Sequence, residues 1–161
     1  MKTVKDIQLT KEAGILFSIP PDATVLAAIT LMSEKNVGAL PVMDGETLVG
    51  ILSERDYARK VILKGRLSNE TLVREIMTDK VITVTLENTA KECIELMTEK
   101  QLRHLPVVEN GKVTGIVSLG DVVKSIILEQ TQKINTLQSI IDDIESDKNL
   151  RNLLHRKLDK I

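Results

Sequence analysis

Residues 50–56 read GILSERD, and residues 115–121 read GIVSLGD. Either stretch alone is an apolar strand running into a helix start, with a serine and an aspartate at the spacing of a capping box. A helix cap needs no duplicate, so the recurrence asks for its own explanation. Sliding the sequence by 65 residues lays Thr24–Asp56 on Thr89–Asp121 without a gap, and 13 of the 33 positions are identical. Among them are the pairs Met32 and Met97, Pro41 and Pro106, Gly50 and Gly115, Ser53 and Ser118, and Asp56 and Asp121. Where identity fails the chemistry holds, as in LPVM at 40–43 against LPVV at 105–108. Polar and apolar positions kept in register over this length indicate internal duplication.

Working outward, each copy reads strand, helix, strand, strand, helix. An extended piece opens it, LFSIP at 16–20 or VITVT at 81–85. Val25, Ala28 and Met32 then recur at helical spacing, as do Ala90, Ile94 and Met97. Two strands follow, joined by a turn at Gly45 in the first copy and at Asn110-Gly111 in the second, a strong hairpin signal. The approaches match as well, VKDI at 4–7 with VREIM at 73–77. The chain therefore divides into a first repeat at 1–66, a second at 67–128 and a C-terminal extension at 129–161. A unit of about 60 residues buries its sheet poorly alone. The expected architecture is α/β, two small sheets packed with helices and related by a pseudo-twofold axis, with ligand-sized clefts between the halves. The two Ser-Asp corners are expected to open onto a shared crevice.

Composition narrows the function. Hydrophobic residues make up 42% and charged residues 28%, with a formal net charge of -1. That balance points to no nucleic acid and no membrane as principal partner. Aromatic residues are only 1%, Phe17 and Tyr57, so there are no stacking platforms for bases. The one cysteine, Cys93, has no partner for an internal disulfide. MKTVKDIQL lacks the apolar core of a secretory signal and no apolar run reaches spanning length, so a cytoplasmic location is expected. Catalysis is not: His104 and His155 lie 51 residues apart, no cluster has metal-ligand spacing, and Cys93 has no basic neighbour. No GxxxxGKT or GxGxxG is present.

The repeated polar positions allow two uses. Ser53 with Asp56, and Ser118 with Asp121, can cap the helices that follow. They can also face a ligand, because a helix N-terminus offers free amides to an anion. The aspartate would repel phosphate, so its role there would be to accept from ribose hydroxyls. Gly50 and Gly115 interrupt apolar strands, which reflects close backbone approach or an unusual dihedral. Arg103 and His104 stand before LPVV where the first repeat has Gly38 and Ala39, so one half-site is the more basic. Arg55 and Arg59 lie one turn apart after Ser53 and can reach the same phosphate. Lys60, Lys64 and Arg66 read as an ordinary solvated face.

The doubled motifs GILSERD and GIVSLGD, in register over about Val4 to Ile127, resemble a tandem pair of CBS domains, also called a Bateman module. The resemblance implies a non-catalytic regulatory module, often dimerised into a flat disc, that binds AMP, ADP, ATP or NAD, or in some members S-adenosylmethionine. It implies that Ser53 with Asp56 and Ser118 with Asp121 contact phosphate and ribose, and that Arg55, Arg103 and His104 contact phosphate. By position, Ser18, Ile19, Thr83 and Val84 would line the base pocket, with Ala39 and Pro106 beside it on the Leu-Pro strands. The expected partners are an adenine nucleotide and a second copy of the chain, with AMP, ATP or NAD as regulatory ligand. An alternative is a dimeric scaffold with vestigial pockets that regulates a separate protein. The extension from about Glu129 departs from the family pattern. Ile134, Leu137, Ile141 and Ile144 fall at heptad spacing, and Leu150, Leu154, Leu158 and Ile161 continue the stripe with a phase shift. This predicts one long helix or a broken pair, docked on the body or paired with another chain.

Overall fold

The register of the duplication is also the register of the backbone. In the computed structural model, which describes residues 2–10 and 16–158, strand β1 (Ala39–Asp44) pairs antiparallel with β2 (Thr47–Ser53), and β3 (His104–Glu109) with β4 (Lys112–Ser118). Ala39 faces Ser53 as His104 faces Ser118, and Pro41 faces Ile51 as Pro106 faces Ile116. Both hairpins bulge immediately after the residue opposite the glycine, between Val42 and Met43 and between Val107 and Val108. Asn110 and Gly111 both have positive φ, as a tight two-residue hairpin turn of this twist requires.

The predicted helices form where their caps stand. Thr24 accepts from the Ala27 amide at the start of α2 (Val25–Lys35), and Thr89 caps α4 (Ala90–Glu99) in a reciprocal box with Glu92. Val25, Ala28 and Met32 are buried in one repeat, and Ala90, Cys93 and Met97 in the other. The opening extended pieces form one bridge each, Ile19 parallel to Val42 and Val84 parallel to Val107. Strands β2 and β4 meet where the two repeats face each other.

Chain order and spatial order differ at the approach segments. Helix α1 (Val4–Thr10) packs on the second repeat, where Val4 and Ile7 join the core of Leu105, Val107, Val117 and Val122. The short 3-10 turn Val73–Glu75 packs on the first repeat, where Val73 and Ile76 join Leu40, Val42 and Leu52. The backbone bonds repeat this exchange. Val4 N–H donates to Asn88 (2.8 Å) and Val73 N–H to Ala23 (2.9 Å), while Ala90 N–H donates to Lys2 and Val25 N–H to Thr71 (2.9 Å each). Each repeat is thus closed by an arm that precedes the other one in sequence.

The close approach at the two strand glycines comes from these arms. A Cβ on Gly50 would lie 2.5 Å from Met77 Sδ, and one on Gly115 would lie 2.1 Å from Gln8 Nε2. Neither glycine has a positive φ, so space rather than dihedral is what each provides.

Helix α3 (Glu54–Lys60) closes the first repeat. Its counterpart in the second repeat does not stop. Helix α5 runs unbroken from Leu119 to Leu158, 40 residues or about 60 Å, joining the repeat's last helix to the extension. Its first turns pack on α4 and α1 and bury Val122 and Ser125. From Gln130 onward every residue whose side chain is described is exposed, so this part does not dock on the body. The side chains of Leu150, Leu154, His155 and Leu158, and all of Ile161, lie outside the described residues.

Candidate functional site

Where the repeats meet, a cleft of about 340 Å³ opens, within the size range of small-ligand sites. The first repeat contributes Gly38, Ile51 and the corner of Ser53, Glu54, Arg55, Asp56 and Arg59, with Thr78 from the exchanged arm. The second contributes Lys100 to His104, the turn between α4 and β3.

The corner itself is a closed capping box. Ser53 donates its N–H (3.0 Å) and its Oγ–H (2.6 Å) to Asp56 Oδ2, and Asp56 N–H returns to Ser53 Oγ (3.2 Å). Ser118 and Asp121 repeat the arrangement at 2.8, 2.6 and 3.2 Å. Capping is therefore realised in both copies. The corners differ one turn later. Lys60 Nζ lies 2.8 Å from Asp56 Oδ1 and donates to the Ile76 carbonyl at 2.7 Å. Read as an ordinary solvated residue, Lys60 instead ties the corner to the arm. The equivalent position in the second repeat is Ser125, which carries no charge; its buried hydroxyl makes no hydrogen bond among the described residues.

Across the cleft, Arg55 Nη1 reaches the Gln101 carbonyl at 3.5 Å. Gln101 sits in the left-handed region, φ 55, just past the end of α4. A guanidinium there complements the carbonyl end of that helix. Gly38 explains the asymmetry between the repeats. A Cβ on it would touch the His104 ring at 3.4 Å and a Glu54 carboxylate oxygen at 3.5 Å. A long basic side chain in the first repeat would fill the space that His104 of the second now takes. Arg55, Arg59, Lys100 and Arg103 line the cleft against Glu54 and Asp56, four cations and two carboxylates. With histidine neutral the lining carries an excess of two positive charges, suited to an anionic ligand.

Of the residues singled out from sequence, the cleft brings together Ser53, Arg55, Asp56, Arg103 and His104. Ser118 and Asp121 are not among its lining, so the two corners do not share it. Ile19 and Val84 are buried in separate cores, where their backbones bond Pro41 and Pro106; Ser18 and Thr83 are exposed beside them. Ala39 and Pro106 are buried within their strands. None of these six lines this cleft. Lys100, Gln101 and Thr78 do, and sequence reasoning passed over them: the first two look like a helix end, and Thr78 arrives on an arm.

The remaining candidate groups are quiet. Cys93 is fully buried, and burial with Glu92 alongside raises its thiol pKa. Among the described residues no group of three or more His, Cys, Asp or Glu side chains could hold a metal ion. Nor is any helix among them long and apolar enough to cross a membrane.

Comparison with known proteins places this geometry. The CBS domain family model matches residues 4–63 and 73–128, so each matched segment includes its exchanged arm. The CBS domain-containing protein CBSX3, mitochondrial, of Arabidopsis thaliana is 42% identical over 147 residues, covering 86% of this chain and 71% of that protein. CBS domain-containing protein YhcV of Bacillus subtilis is 35% identical over 121 residues, covering 75% of this chain and 83% of its own. Among solved structures, a CBS-domain protein from Burkholderia ambifaria MC40-6 superposes with a TM-score of 0.78 at 46% identity, covering 80% of this chain and 96% of that one. The chain belongs to the CBS-domain family of regulatory, signal-transducing proteins, and carries two CBS domains in tandem.

Proposed function

We propose that the chain is a non-catalytic sensor of adenine nucleotides, AMP, ATP or NAD, acting on a separate protein. One observation carries the reading. The Ser53–Asp56 corner of one repeat and the Lys100–His104 turn of the other line one cleft with excess positive charge. In this reading Arg55, Arg59 and Arg103 bind phosphate through planar donor forks, and His104 adds a further donor. Asp56 accepts from a ribose hydroxyl. Its Oδ2 already serves the cap and its Oδ1 meets Lys60, but a carboxylate has about four lone-pair sites, which leaves room for a sugar hydroxyl. The base would lie against Ile51, Leu102 and backbone, since the cleft offers no Phe, Tyr or Trp ring.

Isothermal titration of nucleotide-free protein with AMP, ATP, NAD and S-adenosylmethionine tests the proposal. Saturable binding of at least one, weakened by Asp56→Ala, is expected; silence from all four refutes it. A second reading, a scaffold with vestigial pockets, is favoured by the projecting half of α5. It predicts that silence together with retained capture of a partner.

A further inference from the structure

The exposed half of α5 has a face as well as a length. Ile134, Leu137, Ile141 and Ile144 alternate at three- and four-residue spacing and are each 48% to 63% exposed. They fill consecutive a and d positions of a heptad, where a packed partner is needed. The flanking seam positions are polar: Gln130 before them and Lys148 after them. Ile140, 48% exposed, occupies a g position, which in a coiled coil is usually charged.

We propose that this face pairs with the same face of a second copy of the chain, antiparallel, with residue i level with residue 278 − i of the partner. The choice of orientation rests on what meets what. In parallel pairing Lys148 would meet Lys148 of the other copy in the seam, and Ile140 would meet Glu145. Both contacts are unfavourable. Reversing one helix brings a positions against d, so Ile134 meets Ile144, Leu137 meets Ile141, and the four apolar layers form one block. Gln130 then meets Lys148 at both ends, a polar stop without like charges. The g positions now face each other. One residue off the level pairs on each helix, Ile140 meets its own copy beside the twofold axis, and Lys133 meets Asp147. Shifting the register by one heptad either way sets Ile141 against Gln130, or Ile134 against Arg151. Across the span 130–148 only the stated register matches every layer. Lys133 is held at 2.8 Å by Glu129 in the single chain, and that carboxylate and Asp147 lie on either side of it in the pair.

Two measurements decide it. Sedimentation of the full chain is expected to show a dimer that Ile141→Asp weakens by at least about tenfold, since the new charge is buried in the seam. That residue is exposed in the single chain, so the fold is untouched. In a Cys93→Ala background, Ile140→Cys is expected to form an interchain disulfide under mild oxidation, and Leu137→Cys is not. A monomeric parent, or a dimer as tight with Asp at 141, overturns the pairing. Cross-linking through position 137 but not 140 overturns the antiparallel register.

Discussion

Gly50 and Gly115 are repeat-equivalent, yet adding a methyl group to each should have different consequences. At Gly50 the new Cβ would meet Met77 Sδ at 2.5 Å, Met77 Cγ at 3.0 Å and the Thr78 carbonyl oxygen at 3.2 Å. The last of these cannot retreat, because Thr78 is bonded to Ile51 in both directions, at 2.9 and 3.0 Å. Overpacking of this kind costs about 1–3 kcal/mol, offset by about 0.4–1 kcal/mol from the stiffer unfolded chain. The net expectation for Gly50→Ala is a loss of about 1–2 kcal/mol, or about 2–8 °C in Tm for a chain of this size. At Gly115 only the Gln8 side chain intrudes, and its amide can swing towards solvent. Clash and entropy gain should nearly cancel, leaving Gly115→Ala within about 0.5 kcal/mol of the parent. Urea or thermal unfolding of the two variants measures the difference. Because Met77 is the principal obstacle, Gly50→Ala combined with Met77→Ala should lose less than the sum of the single changes. Equal losses at positions 50 and 115, or strict additivity with Met77→Ala, would show that the arms are not what the glycines accommodate.

Arg103→Ala should weaken AMP by roughly tenfold or more while leaving adenosine nearly unaffected, since a charge-assisted bond is worth about 1.5–3 kcal/mol; equal losses for both, by titration, would contradict its phosphate role. Cys93, buried and with its thiol pKa raised, should react with a thiol reagent at neutral pH only as fast as the core opens, so its labelling rate should rise with urea in step with unfolding. Hydrogen bonds from Thr3 and Thr89 lower the pKa of Asp6 and Glu92 below their ordinary 3.8 and 4.5, and Lys133 lowers that of Glu129. A folded pKa below the unfolded one stabilises above the unfolded value and is lost as pH falls through the folded one, so stability should decline below about pH 4.5, and less steeply in Glu92→Gln.

Much of the fold could be read because the duplicated residues are those a repeat cannot vary. Gly50 and Gly115 leave room for an arm, Pro41 and Pro106 sit opposite equivalent residues, and Ser53 with Asp56 closes the same box as Ser118 with Asp121. The long helix was only half legible: no glycine or proline follows Gly120, but the phase shift in its apolar stripe left a broken pair open. The exchange of arms was not, because VKDI and VREIM bury the same side chains whichever sheet receives them. The cleft was half legible. Arg103 and His104 announce themselves as a basic pair beside an apolar strand. Lys60 resembles any lysine at the end of a solvated helix until its contacts to Asp56 and Ile76 are seen. Thr78 has no local signal, since only the tertiary fold brings it to Ile51.

The exchanged arms also settle how separable the repeats are. Cutting the chain after Gly65, in an exposed turn, gives residues 1–65, which hold the first repeat's sheet but the second repeat's arm. Residues 66–161 hold the reverse. Each fragment then lacks two fully or almost fully buried side chains, Val73 and Ile76 from one core or Val4 and Ile7 from the other. Burying an aliphatic side chain contributes about 1.5–3 kcal/mol, so each loss is about 3–6 kcal/mol. That is comparable with the whole stability of many domains, about 5–15 kcal/mol, and it comes on top of losing the face the other repeat covers. Neither fragment should fold alone, whereas an equimolar mixture should regain cooperative unfolding and helical circular dichroism, because each supplies the arm the other needs. A fragment that unfolds cooperatively by itself would mean that its core is complete without the arm, and that the exchange adds contacts without being required for the fold.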